Sequence, residues 1–174
     1  MKTHQEVENY FINKIDNLSL EKILDVYHFI ISKVVENAPS DFAKNELEEE
    51  QPLLIKLHQY LSKPSINKEA LIKILNELDK IVEKYDDDYP ADMDFYGLTL
   101  INLASHYCEI GTNIEQEMTD DGSINEYATA VLLTYLDYLD FEQSDIDEVV
   151  DIELWADYPK IQQGIQELEN FLES

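Results

Sequence analysis

Residues 67–85 read NKEALIKILNELDKIVEKY and decide the fold class of the chain. Apolar side chains recur there every three or four residues, which is the spacing of one face of an α-helix. Asn67 is a good N-cap, because its side chain can accept a hydrogen bond from a backbone N–H of the first turn. The stretch therefore predicts an amphipathic helix that packs one face against a core.

Helical spacing extends over most of the 174 residues, and no sustained alternation of apolar and polar residues competes with it. At 44% hydrophobic residues the chain can fill one core, whereas a second domain would leave too few. We predict an all-α, single-domain bundle of about seven to eight helices over residues 1–174. The helices are expected at 7–15, 20–35, 41–63 (two short helices or one kinked at Pro52), 68–85, 98–117, 124–139, 145–156 and 158–172.

Charge is the most informative part of the composition. The chain has 38 acids against 12 bases, a formal net charge of −26, and all twelve bases are Lys. Residues 85–159 contain 20 acids and neither Lys nor Arg. A nucleic-acid binder needs clustered Lys and Arg, so that class is excluded. Acids placed only for solubility would be mixed with bases, so this stretch predicts a surface that meets something positive.

The compartment is inferred from cysteine usage and hydropathy. Cys108 is the single cysteine, so no internal disulfide can form, which suits a reducing compartment. The first residues have no apolar core of a signal peptide, and no run reaches the roughly 18 apolar residues of a membrane span. We expect a cytoplasmic protein that does not bind membranes.

Patterns for metal chemistry are weak. Residues 117–128 have the early spacing of a calcium loop, but Ala128 stands where the bidentate acid is needed. Glu46 with Glu49, and Glu148 with Asp151, have the i, i+3 spacing of magnesium ligands in all-α nucleotide hydrolases. With 38 acids such pairs also arise by chance. We expect no metal and no cofactor.

Nucleophilic catalysis is not indicated either. His106 and Cys108 are two residues apart, so on a helix they point in different directions and cannot form a Cys–His pair directly. No Gly-rich phosphate loop is present. We expect no catalytic residue and no enzymatic activity.

The candidate contact residues are acids of the second half, with tyrosines among them as possible aromatic anchors. Tyr127 and Tyr135 also fit positions in a helical core. The residues expected to contact a partner are Asp86, Asp87, Asp88, Tyr89, Asp92, Asp94, Asp120, Asp121, Asp137, Asp140, Glu142, Asp145 and Asp147.

Two short motifs carry a resemblance to a known family. Residues 92–97 read DMDFYG before an apolar helix, and residues 127–130 read YATA in the next helix. Over residues 86–155 the chain resembles the YjaG-like family of bacterial helical proteins, which has no established activity. The resemblance implies a helical fold and transfers no catalytic residues. In class and charge the chain also looks like bacterial immunity proteins of nuclease toxins, including those of contact-dependent growth inhibition.

The leading hypothesis is a non-enzymatic immunity protein that binds and occludes a basic toxin, in particular a nuclease. Its acids would steer association, and apolar or Tyr anchors would set the off-rate. Three alternatives remain open: a housekeeping YjaG-like protein with another partner, a nucleic-acid mimic that blocks a DNA-binding protein, and a magnesium-dependent nucleotide hydrolase.

Overall fold

The computed structural model describes residues 2–85, 93–116, 121–144 and 150–174, with side chains from residue 126 onward in the third range. This part of the chain contains seven α-helices, one 3₁₀-helix and no strand, which confirms the all-α prediction. The helices are α1 (His4–Ile15), α2 (Leu20–Asn37), α3 (Gln51–Leu61), α4 (Lys68–Tyr85), α5 (Phe95–Glu115), α6 (Asp121–Ser144), the 3₁₀-helix η1 (Ile152–Asp157) and α7 (Pro159–Glu173). None of these helices combines the length and the apolar character needed to cross a membrane.

Several helix ends follow from local chemistry. The Ser19 hydroxyl accepts a hydrogen bond from the backbone N–H of Lys22 at 3.4 Å, and the Asn67 side chain accepts one from Ala70 at 3.0 Å. Both residues therefore cap helices as predicted. Pro52 lies in the first turn of α3, where its missing N–H costs nothing.

Five predictions of where helices lie or of their type were wrong. α5 begins at Phe95, three residues earlier than expected, and α6 continues to Ser144 instead of ending at Leu139. Ile152–Asp157 forms a short 3₁₀-helix where an α-helix was expected, and α7 has Tyr158 rather than Asp157 as its N-cap residue. Residues 41–50, predicted to be helical, form turns and a bend instead.

The chain consists of two compact units. Unit 1 comprises Met1–Val26 and Thr119–Ser174, and unit 2 comprises Tyr27–Met118. Within unit 1, α1 packs on α6 and η1, and α7 packs on α6 and η1. Within unit 2, α3, α4 and α5 pack on one another. The single-domain organisation stays a prediction.

Each unit has its own apolar core. In unit 1 the buried side chains come from α1, the first part of α2, α6, η1 and α7, among them Phe11, Leu136, Trp155 and Leu168. In unit 2 they come mainly from the rest of α2 and from α3, α4 and α5, among them Ile30, Leu54, Leu57, Leu71, Ile74, Leu100 and Leu103. The apolar faces predicted from helical spacing thus lie inward, so acidic side chains are left on the outer faces.

Candidate partner-binding surface

The segment η1 exposes apolar side chains among acids. Ile152 is 69% exposed and Leu154 is 46% exposed, and both are among the most exposed large apolar residues described in the chain. Asp151 and Glu153, which alternate with them, are also exposed. The Asp151 carboxylate accepts a hydrogen bond from the backbone N–H of Glu153 at 3.0 Å, which caps the segment. Apolar groups framed by charged ones are the arrangement of an interface core and its rim.

Trp155 anchors η1 to the core of unit 1. Its ring is 2% exposed, and its indole Nε1 donates to Asp140 Oδ1 on α6 at 2.8 Å. The ring of His4 on α1 meets it edge-on, with 4.7 Å between the ring centroids. The backbone N–H of Ala156 donates to the carbonyl of Lys2 at 2.7 Å. These contacts restrain the backbone of η1, so the exposed side chains of Ile152 and Leu154 project from a segment with a fixed conformation.

Acids of α1 and α6 come together beside this anchor. Asp137 is exposed, yet neighbouring side chains withdraw it from part of the solvent, and this burial raises its pKa. His4 lowers that pKa, while Asp140 and Glu8 raise it. His4 Nδ1 lies 3.8 Å from Glu8 Oε2. We call Glu8, Asp137 and Asp140 the acidic cluster; together with Asp151, Ile152, Glu153 and Leu154 it forms what we call the unit 1 surface.

The predicted contact residues fall into three groups. Asp137, Asp140 and Glu142 lie on α6, where Asp137 is exposed and the other two are half-buried. Asp94 is exposed and belongs to unit 2, just before α5. Asp121 begins α6, but its side chain lies outside the described residues, as do Asp86, Asp87, Asp88, Tyr89, Asp92, Asp120, Asp145 and Asp147.

Four tyrosines of the acidic half belong to the core. Tyr96, Tyr127, Tyr135 and Tyr138 are buried, so they cannot serve as the aromatic anchors that the sequence suggested. The Tyr135 hydroxyl donates to the carbonyl of Gly164 on α7 at 3.0 Å, and burial raises the pKa of that phenol. Aliphatic side chains of η1 provide the exposed apolar groups instead.

In unit 2, Glu46 and Glu49 have the sequence spacing of magnesium ligands but are not on a helix. Glu46 and Glu49 lie in turns, so they do not share a helix face. Glu46 is only 6% exposed and accepts a hydrogen bond from the backbone N–H of Asp94 at 2.6 Å. Glu49 forms an ion pair with Lys84 at 2.7 Å, which lowers the pKa of the Glu49 carboxyl. The second pair includes Glu148, which lies outside the described residues. Within the described ranges, no three His, Cys, Asp or Glu side chains converge on a possible metal position.

His106 and Cys108 point to different partners, as their spacing predicted. The ring of His106 lies against Tyr27 of α2, with 6.2 Å between centroids. Cys108 is buried, its Sγ lies 3.7 Å from the carbonyl of Lys68, and burial raises the pKa of the thiol to about 11. A thiol with that pKa remains protonated at neutral pH, so it is a poor nucleophile.

Unit 2 also has a groove between α4 and α5. Leu75, Leu78 and Val82 line it from α4, at spacings of three and four residues that place them on one face. Leu98 and Ile101 line it from α5, and Met93 lies just before that helix. The cavity measures about 250 Å³. Its polar lining consists of Glu50, Asp79 and Ser105.

Comparison with known proteins finds no relative: no family model, no curated protein and no solved structure matches the chain.

The contributions of Glu8, Ile152 and Leu154 were not predicted. Glu8 joins Asp137 only because α1 packs on α6. The alternation of acid and apolar residues at 151–154 was the available signal for an exposed segment, but the S-x-x-D spacing before it favoured an α-helix.

Proposed function

We propose that this chain is an immunity protein that binds and occludes a basic bacterial toxin, in particular a nuclease whose substrate groove must be positive. The observation that carries the proposal is the unit 1 surface, where exposed Ile152 and Leu154 alternate with Asp151 and Glu153. An anionic protein of this kind can cover a phosphate-binding groove with carboxylates in place of phosphates.

Charge supports the same proposal at the level of the unit. Unit 1 contains 20 acids and four Lys within 82 residues. Unit 2 contains 18 acids and eight Lys. A field of this sign steers a cationic partner toward the protein and accelerates association at low ionic strength.

The roles of the side chains in the unit 1 surface differ. Ile152 and Leu154 would enter the partner's apolar pockets and slow dissociation, because buried anchors near the centre of an interface dominate its energy. Asp137, Asp151 and Glu153 would face Lys or Arg at the rim, where charge affects the association rate more than the lifetime. Asp140 serves mainly to hold Trp155.

The test is protection by co-expression. The neighbouring genes are first searched for an exported toxin with a basic nuclease domain, since an immunity protein should be encoded beside its toxin. That domain is then produced in cells together with the chain, and survival is scored. We expect survival with the unaltered chain, and stoichiometric inhibition of the purified toxin's nuclease activity. Death of the cells, or full nuclease activity in the presence of excess chain, would contradict the proposal.

Variants then locate the contact. Combined Ile152→Ser and Leu154→Ser should raise the Kd for the toxin about 30-fold or more, mainly through faster dissociation. Asp151→Asn with Glu153→Gln should slow association and weaken its salt dependence. The matched control is Glu21→Gln with Asp25→Asn, which removes two exposed charges from α2 in the same unit. If the control affects association as strongly as the η1 pair, charge alone and not the η1 contact explains binding.

A further inference from the structure

The groove between α4 and α5 has the chemistry of a pocket for one long cationic side chain. Its volume of about 250 Å³ lies below the roughly 300–1,000 Å³ of small-molecule sites. Two of the apolar side chains that line it are accessible to solvent: Val82 is 44% exposed and Leu98 is 49% exposed. An aliphatic chain laid along these walls would remove apolar surface from water.

The charges at the groove have one sign. Asp79 is exposed at its edge, and Glu50, which is fully buried, underlies it. No Lys is among the described residues that line it, and α5 carries no Lys or Arg along its whole length. A carboxylate beneath an apolar surface creates a negative potential there that bulk water screens only in part. An apolar channel with a negative end complements an alkyl chain that ends in a cation.

We propose that this groove binds a lysine or arginine side chain of the basic protein partner, with the alkyl stem along Leu75, Leu98 and Ile101 and the cation toward Asp79 and Glu50. Long basic side chains bury their methylenes on apolar surface while the charge stays near polar groups. The inference rests on the proposed function for the identity of the partner. The groove lies in unit 2, so it is a contact additional to the unit 1 surface.

The test uses the full chain and peptides that differ in one group. Acetyl-Ala-Ala-Lys-Ala-Ala-amide is compared with the same peptide bearing norleucine in place of lysine, by NMR of labelled Ile, Leu and Val methyl groups. At low salt we expect the lysine peptide to shift the methyl resonances of Ile101 and Leu98 with a Kd on the order of millimolar. The buried Ile15 of unit 1 should not move. The norleucine peptide should bind about fivefold more weakly or worse.

Two substitutions on α4 separate the local charge from the net charge. Asp79→Asn removes the charge at the groove, and Glu77→Gln removes the same charge from an exposed position that does not line it. Asp79→Asn should lower the preference for lysine over norleucine about fivefold, while Glu77→Gln should leave it unchanged. Asp79 is exposed, so this variant is expected to fold; the Ile15 methyl resonance verifies that it does.

Three outcomes would overturn the inference. They are equal binding of the two peptides, shifts away from the groove, and binding of free n-pentylammonium tenfold or more tightly than the lysine peptide. The last would make the groove a site for small amines. Failed protection in cells with intact methyl shifts would count against the proposed function alone. Protection without the shifts would count against the groove alone.

Discussion

At the scale of single residues, Gly164 decides how closely α6 and α7 approach. A Cβ atom at this position would lie 2.2 Å from Cδ2 and 3.0 Å from Cγ of the buried Leu139. The backbone carbonyl of Gly164 also accepts the Tyr135 hydroxyl. We expect Gly164→Ala to lower the free energy of unfolding by about 1–3 kcal/mol, because overpacking forces side chains or backbone to shift. Urea denaturation monitored by circular dichroism measures the free energy of unfolding.

Gly111 provides the matched substitution within a helix. A Cβ there would meet only Lys68 Cδ at 3.2 Å, on a flexible stem that can move aside. Gly111→Ala should therefore leave stability unchanged or raise it by up to about 1 kcal/mol, because alanine favours the helical backbone. If Gly164→Ala and Gly111→Ala lower the free energy of unfolding equally, the contact with Leu139 does not explain the loss at Gly164.

Glu46 is a buried carboxylate whose charge costs stability. Burial raises its pKa, the Asp94 N–H lowers it, and the nearby charges of Glu50 and Asp94 raise it. Because the pKa is raised in the folded state, ionisation favours the unfolded chain at neutral pH, and this penalty vanishes below the unfolded value of about 4.3. We expect Glu46→Gln to raise Tm at pH 7, with a gain that shrinks as the pH falls toward 4.5.

Two further variants test whether burial of the Glu46 charge is what lowers stability. Glu48→Gln removes an exposed charge two residues away, so a similar gain from it would mean that net charge and not burial is responsible. Glu46→Leu removes the acceptor of the Asp94 N–H as well. It should lower the free energy of unfolding by about 1–3 kcal/mol, since a part-buried donor loses its partner.

At the scale of elements, η1 combines one buried anchor with two exposed apolar residues. Trp155→Phe removes the hydrogen bond to Asp140 and part of a buried ring, so we expect a loss of about 1–3 kcal/mol in unfolding free energy. Ile152→Ser should change it by less than about 0.5 kcal/mol, because the side chain is exposed. Thermal unfolding at 222 nm measures both. A large loss from Ile152→Ser would show that this residue belongs to the core and is not available to a partner.

Elements fixed by local chemistry were predictable, and those fixed by tertiary contacts were not. The caps at Ser19 and Asn67 depend on residues within one turn, so the sequence contains all the necessary information. The early start of α5 depends on Met93, whose side chain packs over Gly97, and on Glu46, which binds the backbone of Asp94. Neither contact is visible in spacing along the chain.

The unit 1 surface likewise has a part that the sequence predicts and a part that depends on tertiary contacts. Its acidity was predictable, and Asp137 and Asp140 were among the named residues. The apolar part was not, because residues 151–154 were interpreted as part of an α-helix over 145–156. The bond from Trp155 to Asp140 and the contact with His4 hold the segment in another conformation. Tertiary contacts of one large side chain thus overrode the local preference.

At the scale of the whole molecule, the charge of −26 acts on folding and binding in opposite ways. The carboxylates repel one another, which destabilises the folded chain. The same carboxylates attract a cationic partner. Lys14, Lys68 and Lys84 form ion pairs with Glu173, Glu115 and Glu49; all three carboxylates are exposed, while Lys14 and Lys68 are half-buried. Exposed pairs contribute only about 0–1 kcal/mol each. Repulsion should therefore outweigh them in the free protein.

Added salt should consequently raise the Tm of the free chain and weaken its binding to the toxin. Raising NaCl from 0.01 to 0.1 M shortens the screening length from about 30 to about 10 Å, which reduces long-range repulsion first. We expect Tm to increase over this range at pH 7 and to increase less near pH 4.5, where carboxylates begin to be protonated. Differential scanning calorimetry on the free chain measures the change in Tm with salt. Kd measurements for the toxin over the same salt series measure the change in affinity. A Tm that falls with salt at pH 7 would mean that attraction between the charges of the fold exceeds repulsion, so the acids would be arranged for internal pairing and not for a partner.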